Sequence, residues 1–123
     1  MPNKPEKNVK KNIIYAVNGI KHAISKEISI KLQLITSIII IITSILLKVS
    51  TIELIIIILL SFFVIILEMI NTSIERLIDK KHQDYDTDIG LIKDMLAGMV
   101  LLGLIASLLI EAIILLPRLL KII

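Results

Sequence analysis

Glu68-Met69-Ile70-Asn71-Thr72-Ser73-Ile74-Glu75 places two carboxylates and an amide at the end of an apolar run, and Asp79 follows one turn later. At about 100° per helical residue, Glu68, Asn71, Glu75 and Asp79 fall at roughly 0°, 300°, 340° and 20°, so a single stripe carries them. Groups of this kind support two sorts of chemistry. A hard cation such as Mg²⁺ is held by one or two carboxylates together with substrate phosphates and water. A carboxylate set against hydrocarbon is a candidate general base. A solvated helix extension also shows aligned polar groups. What distinguishes the two is whether the stripe is kept at a membrane edge, where ionisable groups are costly.

The rest of the chain supplies that edge. Its 123 residues suit one domain, and a hydrophobic fraction of 56% with mean hydropathy +0.93 is too apolar for a soluble core of this length. The runs Ile38-Ile39-Ile40-Ile41-Ile42 and Ile55-Ile56-Ile57-Ile58-Leu59-Leu60 read as membrane spans, which take about 20 apolar helical residues. The expected fold is all-α and integral to the membrane, a single domain over residues 1–123. It has an amphipathic helix over about 11–27 and three spans over about 32–47, 52–70 and 94–116. Ile13, Val17, Ile20 and Ile24 make the apolar stripe of the first helix, with Lys11, Asn18, His22 and Lys26 opposite, as in a helix lying in the interface. The second span is expected to continue into water as far as Asp79. Gly90 is expected to break or hinge the next segment, and Pro117 to end the third span.

Positive charge sets the topology. With the N-terminus inside, eleven Lys and Arg residues fall on the cytoplasmic side and only Lys48, Arg118 and Lys121 outside, which favours N-in, C-out. The stripe, Glu27, Lys93 and Asp94 are then cytoplasmic, whereas Glu53 and Glu111 lie towards the other face and read as structural. No signal peptide is expected. The absence of cysteine excludes thiolate chemistry and disulfides, and two Phe, two Tyr and no Trp provide poorly for base stacking, so no nucleic-acid partner is expected. His22 and His82 read as solvated, and Gly103 with Ser107 as a small-residue pair for helix packing.

Glu27, the stripe and Lys93-Asp94 thus come to one depth. A lysine there can meet a phosphate as a point charge. An enzyme joining water-soluble ATP to a lipid alcohol needs its acidic site where this chain has one. The sequence holds neither a Gly-rich phosphate loop nor an H-E-x-x-H zinc motif. Two other classes compete. A small transporter subunit would use Glu68 to bind a cation but favours a mid-span carboxylate and repeat symmetry, and a pore-forming protein leaves the stripe and Lys93-Asp94 without a task.

At these residues the chain resembles the small prokaryotic diacylglycerol kinase and undecaprenol kinase family. The matches are Glu68-x-x-Asn71-Thr72-x-Ile74-Glu75 with Asp79, then Asp84-Tyr85, then Lys93-Asp94-x-x-Ala97-Gly98. The ending Ile113-Ile114-Leu115-Leu116-Pro117-Arg118-Leu119 resembles the Gram-positive branch, whose members mainly phosphorylate undecaprenol and so return the carrier lipid to envelope synthesis. The resemblance implies Glu68 as the catalytic base at the lipid hydroxyl, and Glu27 and Glu75 as ligands of the Mg²⁺ bound to ATP. It implies ATP contacts at Tyr15, Asp84, Tyr85, Asp86, Lys93 and Asp94, support from Asn71 and Asp79, and room for the lipid headgroup at Ala97. It also implies a homotrimer in the bacterial plasma membrane with sites shared between subunits, and diacylglycerol as the alternative acceptor. Departures from the family pattern are Asp86, where His is usual, together with Lys31, Gln33 and Asn18, and the missing interfacial Trp.

Overall fold

A computed structural model describes residues 8–81, 84 and 86–123. Four helices follow in order: α1 (Val9–Lys26), α2 (Ile28–Leu46), α3 (Thr51–Lys81) and α4 (Thr87–Ile122). The last three are long and apolar enough to cross a membrane. α3 packs against both α2 and α4, and α1 packs against α2.

The side chain of Asn8 accepts from the Lys10 N–H at 3.0 Å and caps α1, which therefore starts two residues before the expected position 11. Glu27 alone separates α1 from α2, in extended backbone (φ −104°, ψ 113°). Its N–H still donates to Ala23 at 3.0 Å and its carbonyl accepts from Lys31 at 3.1 Å, so the chain turns without orphaning backbone groups. The helix of the first span begins straight after this corner, four residues ahead of the expected position 32.

α2 ends in a Schellman arrangement: the Lys48 N–H donates to Ile45 at 3.1 Å and the Val49 N–H to Ser44 at 3.2 Å. Lys48 takes the left-handed conformation (φ 57°), a place that favours glycine. α3 then opens with a capping box. The Ser50 N–H donates to Glu53 Oε1 at 2.9 Å, and the Glu53 N–H returns to Ser50 Oγ at 3.2 Å. The Arg118 guanidinium grips both Glu53 oxygens, at 2.7 and 3.1 Å, and clasps the start of α3 to the end of α4. Because Glu53 serves the cap and the clasp together, Glu53→Ala should lower the thermal midpoint in detergent by several degrees, and by more than Ser50→Ala or Arg118→Met alone. Equal shifts for the three variants would show that the two contacts are not joined through this residue.

Gly90 and Pro117 depart from expectation, since α4 runs through both. The Asp86 side chain accepts from the Asp88 N–H at 2.8 Å and the Gly90 N–H donates to the Asp86 carbonyl at 2.9 Å, so a satisfied cap outweighs the ~1 kcal/mol propensity cost of glycine. Pro117 removes one helical N–H beyond the expected end of the span. In the same turn Arg118 Nη1 donates to the Ile114 carbonyl at 3.0 Å, and the helix continues to Ile122.

The interior is narrow and lined by small polar residues. Ile57, Ser61 and Val64 of α3 are buried, as are Ile30, Ser37 and Ser44 of α2 and Val100, Gly103, Ser107, Glu111 and Ile114 of α4. Ser44 and Ser61 donate back to the carbonyls of Ile40 and Ile57, at 2.7 and 3.0 Å, and Ser107 donates to Glu111 at 2.9 Å. Small side chains let helices approach where lipid supplies no hydrophobic drive between them. Outward faces carry exposed Leu46, Ile52, Leu102 and Ile113, as bilayer contact requires. A Cβ on Gly103 would collide with Leu67 Cδ1, the mobile end of a side chain. Gly103→Ala should therefore be mild, whereas the stiff, branched Gly103→Val should cost about 1–3 kcal/mol by overpacking. Unfolding in detergent tests this, and equal costs for the two would contradict it.

Candidate active site

α3 has 31 residues and is therefore about 46 Å long against a hydrocarbon core of about 30 Å, so one end must project beyond the lipid. The projecting end is the polar one, carrying Glu75, Arg76, Asp79, Lys80 and Lys81. Glu68 and Asn71 stand below it, where the helix leaves its apolar stretch. Both are half-buried, as is Glu75. Asn71 Oδ1 is buried and has no hydrogen-bond partner among the described residues. An amide oxygen in that state is costly unless a group beyond the described residues satisfies it.

Two polar clusters bracket this stripe. In the first, Lys93 of α4 donates to Asp79 Oδ1 at 2.5 Å and ties the polar extensions of α3 and α4 together. The charge of Glu75 also acts on the Lys93 ammonium. In the second, Arg76 Nη2 donates to Glu27 Oε1 at 2.5 Å, and Arg76 Nη1 donates to His22 Nε2 at 3.0 Å. Arginine has no acceptor, so the imidazole must offer its unprotonated nitrogen. This cluster borders a cavity of about 510 Å³ between α1 and α3.

The expected residues are thus gathered in part. Asp79, Lys93 and Glu75 share one cluster and Glu27 stands in the other. Among the described residues no three acidic or imidazole groups form a metal-binding set within one chain. Glu68 and Asp94 make no side-chain hydrogen bond or ion pair among those residues, and Asp94 is exposed. Tyr15 is half-buried on α1, Asp84 is exposed in the connection, and Ala97 is exposed on α4. Asp86 is engaged as the cap of α4. Tyr85 lies outside the described residues, as does His82.

His22 is exposed, as the solvated reading expects, and it also bonds to Arg76 and lines the cavity. Arg76 itself is the residue that the sequence pattern passes over. It counts there only as one more positive charge, because its partners lie 49 and 54 positions away and no spacing rule reaches them. The oxygen donors available suit a hard cation and phosphates. Glu27 keeps its second oxygen unbonded among the described residues, and Asn71 Oδ1 awaits a partner.

A second groove, of about 730 Å³, lies between α3 and α4. Phe63, Leu67, Met95, Gly98 and Leu102 line it, one residue along from Glu68 on α3 and from Ala97 on α4. Its walls are apolar, and it brings hydrocarbon-compatible space close to the acidic stripe.

Fold and site together define a small membrane protein with three helices long and apolar enough to cross a membrane and a stripe of polar groups at the end of the apolar stretch of α3. Residues 14–115 match the family described as prokaryotic diacylglycerol kinase, and the chain belongs to that family. A protein of Synechocystis sp. named diacylglycerol kinase is 31% identical over 108 residues. The match covers 87% of this chain and 62% of that relative's length. The matched family range contains every candidate site residue from Tyr15 to Ala97.

Proposed function

We propose that this chain is a lipid kinase, transferring the γ-phosphoryl group of ATP to the hydroxyl of a membrane lipid alcohol. The observation that carries the reading is the Glu68-Asn71-Glu75-Asp79 stripe on a helix running out of the hydrocarbon, in a chain whose family is prokaryotic diacylglycerol kinase. Glu68 takes the proton from the lipid hydroxyl, the oxygen attacks the γ-phosphorus, and ADP leaves with the electron pair of the broken P–O bond. Glu27 and Glu75 would hold the metal, and Mg²⁺ bound there would supply neutralisation of the phosphate charge. Lys93, set in place by Asp79, faces the nucleotide as a point charge, and Asn71 orients groups beside the base. Tyr15, Asp84, Tyr85, Asp86 and Asp94 complete the nucleotide contacts. The lipid chain lies along the α3–α4 groove, with its headgroup near Ala97.

The N-terminus and site face the cytoplasm, α1 lies in the interface, and three copies form a homotrimer whose neighbouring chains complete each site. This arrangement accounts for the exposed apolar faces and for an Asn71 oxygen that has no partner among the described residues. The acceptor we propose is undecaprenol, on the resemblance of the Ile113–Leu119 ending to the Gram-positive branch. Diacylglycerol is the second reading, favoured by the printed name of the Synechocystis relative. Competition between the two lipids in mixed micelles, with labelled ATP, separates them. Preferential labelling of undecaprenol is expected, and preferential labelling of diacylglycerol would replace the first reading by the second.

A further inference from the structure

We infer that Arg76 is an exchangeable counter-ion, holding Glu27 while the metal is away and turning to phosphate oxygens when the metal takes that carboxylate. The inference rests on the metal role proposed for Glu27. Arg76 holds one Glu27 oxygen at 2.5 Å, with side-chain exposures of 58% and 23%. With the arginine side open to solvent the pair is weak, so exchange is easy. A guanidinium and a divalent cation on one carboxylate repel each other, so binding of one weakens the other.

The surroundings decide where a released Arg76 goes. Its guanidinium borders the α1–α3 cavity, whose only carboxylate among the described residues is Glu27. Thr72, Ser73 and His22 also line that space. Gly19 lines it, and the space beside it is open, since a Cβ there would meet nothing within 4 Å. The planar fork of arginine matches two oxygens of a phosphate. The oxygens can belong to the nucleotide or to a phosphorylated lipid, which offer the same chemistry.

Arg76→Ala should therefore move two affinities in opposite directions. Mn²⁺ alone, followed by electron paramagnetic resonance on the intact protein in detergent, should bind about two- to fivefold more tightly. A non-hydrolysable ATP analogue with Mg²⁺ should bind about tenfold more weakly by calorimetry. Arg76→Lys keeps the charge, and should restore the metal affinity while recovering part of the nucleotide affinity. If the nucleotide is unaffected but a short-chain lipid phosphate in micelles binds more weakly, the phosphate belongs to the lipid and the exchange stands. Unchanged or weaker Mn²⁺ binding in Arg76→Ala overturns the exchange. Glu27→Gln separates the two levels. Loss of Mn²⁺ binding in that variant upholds the metal role whatever Arg76 does, and wild-type binding removes both the role and the inference.

Discussion

Glu68→Gln is expected to lower turnover by about two to four orders of magnitude, the usual contribution of a positioned general base. The amide keeps the size and shape of the carboxylate but cannot take a proton from the lipid hydroxyl. Glu68 makes no side-chain hydrogen bond or ion pair among the described residues, so the exchange to an amide of equal size breaks no polar contact there and the fold should survive. Affinity for a non-hydrolysable ATP analogue should stay within about twofold, since the groups proposed to hold nucleotide stand on another turn of α3, on α1 and α4, at the α1–α2 corner and between α3 and α4. Turnover within a factor of a few of wild type would remove Glu68 from the role of base.

Glu75→Ala should fail differently. Its carboxylate stands one turn from Asn71, and its charge acts on Lys93. Removing it takes away a proposed metal ligand and leaves Lys93 with Asp79 as its one acidic neighbour of those two among the described residues. The apparent requirement for Mg-ATP should rise by about ten- to a hundredfold, at least the effect of disturbing a ligand's support. Saturating Mg-ATP should recover part of the turnover. A variant that loses turnover at unchanged Mg-ATP requirement would point to a role in the chemical step instead. The two variants together separate proton transfer from nucleotide binding.

Much of the architecture was legible because the bilayer imposes it. The long isoleucine and leucine runs mark helices whose length hydrocarbon dictates, and the stripe from Glu68 to Asp79 follows from helical period alone. Helix ends were less legible, because they depend on individual hydrogen bonds. Asp86 caps α4 and carries it through Gly90, while Pro117 falls where the helix continues to Ile122. The Ser50-Thr51-Ile52-Glu53 pattern does carry a capping-box signature, but Glu53 read from sequence shows only a structural carboxylate near the other face. In the candidate site the motif residues on one helix could be found by counting. The His22-Arg76-Glu27 cluster could not, since only the fold of α1 against α3 brings those positions together.

Transfer of labelled γ-phosphate from ATP into the organic-extractable lipid fraction tests the central claim most directly. It should be run with purified protein in mixed micelles containing undecaprenol and diacylglycerol, with and without Mg²⁺, beside Glu68→Gln. Metal-dependent labelling of lipid by the wild-type chain is expected, with almost none by the variant. Folded protein that labels neither lipid under any of these conditions would contradict the assignment of lipid kinase activity to this chain.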